Sequence, residues 1–183
     1  MTVMIGERIY LRPIERADID DGWLDWINDH TLNQYLAGSF PVNRDSLERY
    51  YEASQPPGVT MFAICLQEND QYIGNARLSG IDLVHRNCMY GRLIGEAEYR
   101  TKGYGSEALI LLFRYGFHHL GMNRIYSTAF ADNEVSLASN KKVGLRIEGT
   151  VRQGMFKDGR FHDLVMLSML RSEFDELYGG ATR

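Results

Sequence analysis

At 183 residues the chain has the length of one ordinary domain, which is enough to bury a core of its own. Its composition, 44% hydrophobic and 24% charged, is typical of a folded protein and excludes disorder throughout. The net charge of −4 makes nucleic acid an unexpected partner. No apolar run approaches the roughly 20 residues of a membrane span, and the N-terminal sequence is not that of a signal peptide. We therefore expect a single domain over residues 1–183 in the cytoplasm, with no membrane partner.

The two cysteines, Cys65 and Cys88, lie far apart in apolar, strand-like runs. Such thiols are expected to be small buried side chains in a reducing compartment. Neither belongs to a spacing typical of metal ligands, so no metal site is predicted.

The N-terminal region is predicted to form a strand and then a short helix. Residues 5–13 alternate in polarity as a strand does, and Pro13 stops the run. Asp18 is the expected cap of the helix, because Trp23, Trp26 and Ile27 follow it at helical spacing.

A second helix is expected after a loop over residues 38–44. The sequence Asp45-Ser46-Leu47-Glu48 has the pattern of a capping box, in which two side chains satisfy main-chain N–H groups of the first turn. Two prolines and a glycine at 56–58 end this helix.

The middle of the chain is predicted to contain three strands and the longest helix. Val59–Leu66 and residues 72–78 are strands joined by a polar turn, and residues 88–94 form a further strand. Residues 106–120 carry apolar side chains at helical spacing, and Gly121 ends that helix.

The C-terminal third is predicted to form a strand over Arg124–Phe130, a helix over 133–143 and a long hairpin. The hairpin strands, 145–156 and 161–170, flank Asp158-Gly159, a dipeptide that two-residue hairpin loops favour. Antiparallel strands followed by a βαβ unit indicate an α+β fold.

The segment between the strand at 88–94 and the long helix contains Gly103 and Gly105, together with the cations Arg100 and Lys102. Glycines let the backbone approach a ligand closely. The helix that starts behind them directs unpaired N–H groups and the positive end of its dipole into the loop. This pattern predicts a site for phosphate, in particular a pyrophosphate.

Two nucleotide-binding patterns compete for this segment. The phosphate loop of nucleotide hydrolases needs GxxxxGK[ST], which is absent. Residues 103–108 do fit the GxGxxA of dinucleotide-binding folds, and Asp132 lies near the end of the next strand. That fingerprint places its first glycine directly after the strand, whereas here a polar stretch intervenes after Gly95. A dinucleotide site is therefore the weaker interpretation.

The same segment resembles the signature of the GNAT acetyltransferase superfamily, [RQ]-x-x-G-x-[GA], which Arg100, Gly103 and Gly105 satisfy. Residues 133–149 resemble the family's N-x-x-[AS]-x-x-x-x-x-K-x-G-F-x-x-E-G, with Leu145 in place of Phe. Residues 159–163 are similar to a hairpin of the branch that acetylates ribosomal-protein N-termini. The resemblance spans nearly the whole chain. It implies a GNAT fold, a mixed, mostly antiparallel twisted sheet of about seven strands flanked by about four helices.

The resemblance also implies acetyl-CoA as cofactor. In the family the loop amides hold the pyrophosphate of CoA, and the preceding strand pairs with its pantetheine arm. The residues of this chain that the resemblance assigns to the cofactor are Leu93, Ile94, Arg100, Thr101, Lys102, Gly103, Tyr104, Gly105, Ser106, Asn133, Ser136 and Lys142.

The implied reaction is direct attack of a neutral amine on the acetyl thioester. Many relatives carry a tyrosine as general acid where this chain has Asn140, and in the ribosomal-protein branch a serine at the position of Ser136 has that role. Ser136 and Asn140 are therefore the candidates for hydrogen bonding the leaving thiolate.

A base must accept the proton of the ammonium group, and the family motifs do not assign it to one residue of this chain. The glutamate that many relatives carry before the glycine loop is not evident, because Tyr90 and Arg92 occupy that neighbourhood. His85, Glu96 and Asp163 are the candidates that remain.

The acceptor amine is expected to lie against the N-terminal helices, with Trp26, Tyr35 and Asp163 as contacts. The string W-x-x-W-x-N-D resembles GNAT members that acetylate nucleotide-linked amino sugars, so a small-molecule primary amine of that kind is the first interpretation. Protein N-termini and polyamines are the alternatives. A GNAT-fold protein that binds CoA without turnover is an alternative of another class. The long final hairpin offers an edge for a homodimer.

Overall fold

The protein, as a computed structural model, is described over residues 4–38 and 41–179. Within these residues one sheet of eight strands runs in the order β1-β2-β3-β4-β5-β6-β8-β7. All neighbouring strands are antiparallel except β5 and β6, which are parallel. The strands are β1 (Met4–Ile5), β2 (Ile9–Pro13), β3 (Val59–Leu66), β4 (Tyr72–Asp82), β5 (Asn87–Ile94), β6 (Arg124–Phe130), β7 (Arg146–Lys157) and β8 (Arg160–Leu170).

Six α-helices lie in the same described ranges: α1 (Trp23–Asn28), α2 (His30–Asn33), α3 (Arg44–Ala53), α4 (Tyr104–Arg114), α5 (Glu134–Val143) and α6 (Arg171–Tyr178). Short 3-10 turns precede α1 and α4, at Arg16–Ile19 and Ala97–Tyr99, and a π-helical turn at Tyr115–His119 continues α4. The predicted α+β class with a mixed, mostly antiparallel sheet is confirmed. The sheet has eight strands where about seven were expected, and six helices stand where about four were expected.

Both faces of the sheet are covered, which explains why β3 is apolar almost throughout. Along β3, Phe62, Ile64 and Leu66 pack in the cluster that includes α4, whereas Ala63 and Cys65 pack in the cluster that includes α1 and α3. Successive side chains of a strand point to opposite faces, so the two clusters lie on the two sides of the sheet.

The central feature of the sheet is a gap between β5 and β6. These parallel strands pair only at their beginnings, in the registers Asn87↔Arg124, Cys88↔Ile125 and Met89↔Tyr126. On their outer sides β5 stays paired with β4 as far as Ile94, and β6 stays paired with β8 as far as Phe130. The far halves of β5 and β6 therefore face each other across an opening lined with main-chain N–H and C=O groups.

The predicted first strand, residues 5–13, is interrupted. The structure has two short strands joined by a turn in which the N–H groups of Glu7, Arg8 and Ile9 donate to one carboxylate oxygen of Glu107 in α4. Because these N–H groups are directed at a side chain, regular strand pairing stops there. No local pattern in the sequence signals this contact.

The predicted helix caps are wrong in detail. Asp18 does not cap α1, which begins after Gly22. Its carboxylate instead accepts two hydrogen bonds from Arg12, at 2.6 and 2.8 Å. The cap of α3 is Asn43 rather than a residue of 45–48, since Asn43 and Ser46 exchange the two capping hydrogen bonds. The predicted loop over 38–44 includes residues 39 and 40, which lie outside the described residues.

Most other predicted bounds agree with the structure. Strands β3 and β6 have the predicted ends, and the final hairpin turns at Asp158 and Gly159, both with positive φ. The long helix begins at Tyr104 rather than at 106. Helix α2 and the C-terminal helix α6 were not predicted.

Candidate functional site

The glycine loop lies at the open end of the gap, between the last residue of β5 and the first turn of α4. It turns sharply, with positive φ at Thr101 (62°) and at Gly103 (91°). Gly103 precedes α4 directly, and its carbonyl accepts the N–H groups of Ser106 and Glu107 at 3.1 Å. The N–H groups at the start of a helix have no partner within it. This end of the gap is thus suited to an anion.

Arg100 does not direct its charge at the loop as the sequence predicts. Its guanidinium turns back to the end of β5, where it donates to the carbonyl oxygens of Ile94, at 3.3 Å, and Gly95. It also lies 3.8 Å from a carboxylate oxygen of Asp29. Arg100 therefore holds the strand end in place, while Lys102 has an exposed side chain at the loop.

Two arginines that the sequence analysis did not assign to the cofactor lie beside the loop. Arg92 donates to the carbonyl of Gly105 at 2.9 Å, and burial lowers the pKa of its guanidinium. Arg8 donates to the carbonyl of Lys102 at 3.1 Å. Arg8 is 94 positions away from that partner, so only the fold brings the two together.

Helix α5 lies beside α4. The side chain of Asn133 caps it by accepting the N–H of Ser136 at 3.0 Å. The hydroxyl groups of Ser139 and Ser106 hydrogen bond at 3.0 Å, which joins the two helices near the glycine loop. Ser136 lies one turn before Ser139, in the first turn of α5, and is half-buried. The side chain of Lys142 is exposed near the other end of the helix.

Asn140 is only 3% exposed, and its Oδ1 has no hydrogen-bond partner among the described residues. An unpaired buried polar atom is costly and calls for an explanation. The oxygen and nitrogen of an amide are assigned from their partners, so either end of this side chain can be the unpaired one. A ligand group that reaches the helix would supply the missing partner.

On the side of the N-terminal helices, Trp26 is 6% exposed and belongs to the core. Its indole N–H donates to Glu96 at 3.1 Å, and its ring lies directly over Gly95. Little of the ring is left for an acceptor, whereas Tyr35 is 38% exposed and contacts Phe130 edge to face. Tyr35 therefore stands next to the end of β6.

The three candidate bases lie in different places. His85 lies in the turn before β5, at the end where β5 and β6 still pair. Its exposed ring and its main-chain N–H donate to Asp82, and these hydrogen bonds lower the pKa of the Asp82 carboxyl. The length of β5, at about 3.3 Å per residue, separates His85 from the open end of the gap, so His85 does not join the site. Asp163 accepts the main-chain N–H of Gln153 at 2.7 Å and supports a bulge of β7. Of the three, only Glu96 lies close to the end of β5, separated from Ile94 by Gly95.

Glu96 also borders a surface pocket of about 360 Å³. Four carboxylates line this pocket, together with Gly22, Gln71 and Tyr72: they are Asp20, Asp21, Asp70 and Glu96. Asp20 is paired with Arg44 at 2.8 Å, and the other three have no salt bridge in the described part of the chain. The pocket is therefore acidic.

An anion-binding helix start at the end of two diverging parallel strands can hold a ligand that has a phosphate group and an extended arm. A family model described as an acetyltransferase (GNAT) domain matches residues 8–146, and the chain belongs to this family. The predicted GNAT membership, N-acetyltransferase class and acetyl-CoA cofactor are confirmed at the level of the family. The dinucleotide interpretation is thereby set aside.

Named relatives agree with this assignment. YdaF of Bacillus subtilis (strain 168), a putative ribosomal N-acetyltransferase, is 29% identical over 181 residues, which are 95% of this chain and 97% of YdaF. Spermidine N(1)-acetyltransferase of Escherichia coli (strain K12) is 26% identical over 166 residues, 91% of this chain and 88% of the relative. The crystal structure of spermidine N-acetyltransferase from Vibrio cholerae with CoA and spermine matches with a TM-score of 0.84 at 22% identity, over 91% of this chain and 98% of that one. This last likeness supports the fold.

No helix in residues 4–38 and 41–179 is both long and apolar enough to cross a bilayer.

Proposed function

We propose that this chain transfers the acetyl group of acetyl-CoA to a primary amine of a small, cationic molecule, with a polyamine as the preferred acceptor. The gap between β5 and β6 is the observation that supports acetyl-CoA as the acetyl donor. It ends at the Gly103 turn and the start of α4. The pantetheine arm would pair with the free edge of β5 near Leu93 and Ile94. The pyrophosphate would accept N–H groups of residues 103–105.

The chemistry follows from that placement. A main-chain N–H at the end of β5 would polarise the thioester carbonyl, because a fixed donor stabilises the oxyanion that forms during attack. Holding the amine next to the thioester supplies further acceleration. The proposed donors of a hydrogen bond to the departing thiolate are the hydroxyl group of Ser136 and the amide N–H of Asn140. Glu96, next to the strand end, is the proposed route for the ammonium proton.

The acceptor class rests on charge. The pocket that Glu96 borders is lined by four carboxylates, of which all but Asp20 have no salt bridge in the described residues; such a surface attracts ammonium groups and repels phosphates. A nucleotide-linked amino sugar would bring negative phosphates toward this surface, so the pocket favours a polyamine over that acceptor. The name of the spermidine N(1)-acetyltransferase relative points to the same class. The name of YdaF keeps a protein N-terminus as the second candidate.

The test is release of free thiol from acetyl-CoA with three acceptors, namely spermidine, a nucleotide-linked amino sugar and a peptide with a free N-terminus. We expect the highest kcat/KM with spermidine, and a KM for spermidine that rises with salt because screening weakens attraction between exposed charges. Preference for the sugar nucleotide or the peptide would contradict the acceptor class. CoA binding by calorimetry without thiol release from any amine would contradict catalysis itself.

A further inference from the structure

The N-terminal strands and the glycine loop are joined through one carboxylate. Oε1 of Glu107, in the first turns of α4, accepts the main-chain N–H groups of Glu7 at 2.7 Å, Arg8 at 2.8 Å and Ile9 at 3.3 Å. A Cβ built on Gly6 would lie 2.6 Å from the same oxygen, so this turn fits closely around the carboxylate. The start of α4 is thereby fixed to the turn between β1 and β2.

Arg8 extends from that turn to the glycine loop. Its Nε donates to Oε2 of Glu107 at 3.0 Å, and its Nη1 donates to the carbonyl of Lys102 at 3.1 Å. Its guanidinium lies over the ring of Tyr104, 4.3 Å from the centroid. Its Nη2 lies 3.3 Å from the position of a Cβ built on Gly103. One side chain therefore contacts Lys102 and Tyr104 and passes close to Gly103 between them, where the loop turns into the helix.

The hydrogen bond to Lys102 fixes a direction as well as a position. A trans peptide is planar, so its C=O and N–H point in opposite directions. Because the carbonyl of Lys102 points at Arg8, the N–H of Gly103 on the same peptide points away from Arg8. The turn also holds Thr101 at a φ of 62°, which a residue with a Cβ adopts only when the surroundings require it.

We propose that Arg8 is a positioning residue for the CoA pyrophosphate loop and that Glu107 acts through it. This inference rests on the proposed function, in which the loop N–H groups bind the pyrophosphate. Without the guanidinium the Lys102–Gly103 peptide is free to rotate, and the loop loses its preformed set of donors. Arg8 thus affects how the phosphate end of acetyl-CoA is bound and leaves binding of the thioester end unchanged.

Two acetyl donors distinguish an effect on the phosphate end from an effect on the thioester end. Acetyl-CoA carries the pyrophosphate, whereas S-acetylpantetheine carries the same thioester without it. For Arg8→Gln we expect kcat/KM with acetyl-CoA to fall about tenfold through KM, the factor for losing one hydrogen bond made by a charged group. With S-acetylpantetheine we expect no change. The matched control is Arg16→Gln, an exposed arginine that pairs with Glu48 and Glu52 away from the loop and is expected to change neither value.

A fold defect would lower kcat/KM equally with both donors, and that result would overturn the inference, as would an unchanged KM for acetyl-CoA. Glu107→Gln keeps an oxygen for the three N–H groups and removes the charge opposite Arg8. It should show the same donor-selective loss and serves as the test if Arg8→Gln does not fold. A wild-type chain that does not bind CoA in calorimetry overturns the proposed function and this inference together. Wild-type binding with unaltered binding in both variants overturns this inference alone.

Discussion

The ammonium group of Lys157 donates a hydrogen bond of 2.7 Å to the main-chain carbonyl of Gly38. The same Nζ donates to Oδ1 of Asn33 at 2.9 Å and to the carbonyl of Leu36 at 2.8 Å. All three donors of the ammonium are therefore used, although Lys157 is only 4% exposed. The tip of the β7–β8 hairpin is in this way tied to the segment after α2, close to Tyr35.

Replacing Lys157 with methionine should destabilise the protein. The side chain keeps its length but leaves three acceptors without their donor, so we expect the free energy of unfolding to fall by about 2–4 kcal/mol. Urea denaturation at neutral pH measures this. The control is Lys141→Met, an exposed lysine of α5, for which a change within about 0.5 kcal/mol is expected. Equal losses in the two variants would show that the buried hydrogen bonds contribute nothing.

Gly95→Ala should damage both folding and activity. A Cβ at this position would lie 1.9 Å from Cδ2 of Trp26, whose ring is held by its hydrogen bond to Glu96. Relief of such an overlap costs about 1–3 kcal/mol and would shift the end of β5. Thermal denaturation and thiol release measure the two effects. Gly149→Ala, where a Cβ meets nothing within 4 Å, should leave both unchanged. An unaltered Gly95→Ala protein would mean that Trp26 can move.

The two glycines of the loop should differ when each is replaced by alanine. Gly103 has a φ of 91°, which costs an alanine roughly 1–2 kcal/mol. Gly105 does not have a positive φ, and its nearest atom to a built Cβ is Nε of Arg92 at 3.4 Å. Gly103→Ala should therefore lower the melting temperature more than Gly105→Ala does. The reverse order would contradict a strained turn at Gly103.

The stabilisation that Glu148 provides should be lost at acid pH. Its carboxylate accepts the hydroxyl of Ser168 at 2.5 Å and pairs with Arg124, and these hydrogen bonds lower its pKa from the ordinary 4.5. Since the folded pKa lies below the unfolded one, the stabilisation is present above about pH 4.5 and is lost as pH falls through the folded pKa. Melting temperatures of Glu148→Gln should lie below wild type at pH 7 and approach it as the pH falls toward 3. A constant difference over this range would contradict the assignment.

The regular part of the fold could be predicted because its causes are local. Strands β3 and β6 have the predicted ends. For β3, an apolar run bounded by turn residues specifies a strand that is buried on both faces. The turn at Asp158 and Gly159 follows from residue types that adopt positive φ. The glycine loop could also be located, because two glycines before an apolar helix form a pattern in sequence.

The direction of each side chain around that loop could not be predicted. Arg100 turns toward the carbonyls of β5, and Arg8 arrives from the first turn of the chain. Asp18 is bound by Arg12 across a strand end rather than capping α1. These contacts join residues that are neighbours only after folding. Sequence spacing therefore located the glycine loop but not the groups that hold it.

The opening between β5 and β6 consists of main-chain atoms, and substitution of side chains leaves those atoms in place. If acetyl-CoA binds there as proposed, its recognition does not depend on these side chains and can persist while sequences diverge. Relatives with 25–29% identity over nearly the whole chain still have the name N-acetyltransferase. The proposed acceptor side consists of side chains such as those of Tyr35 and Glu96, which a single mutation exchanges. Divergence in this family should therefore alter which amine is acetylated long before it alters what supplies the acetyl group.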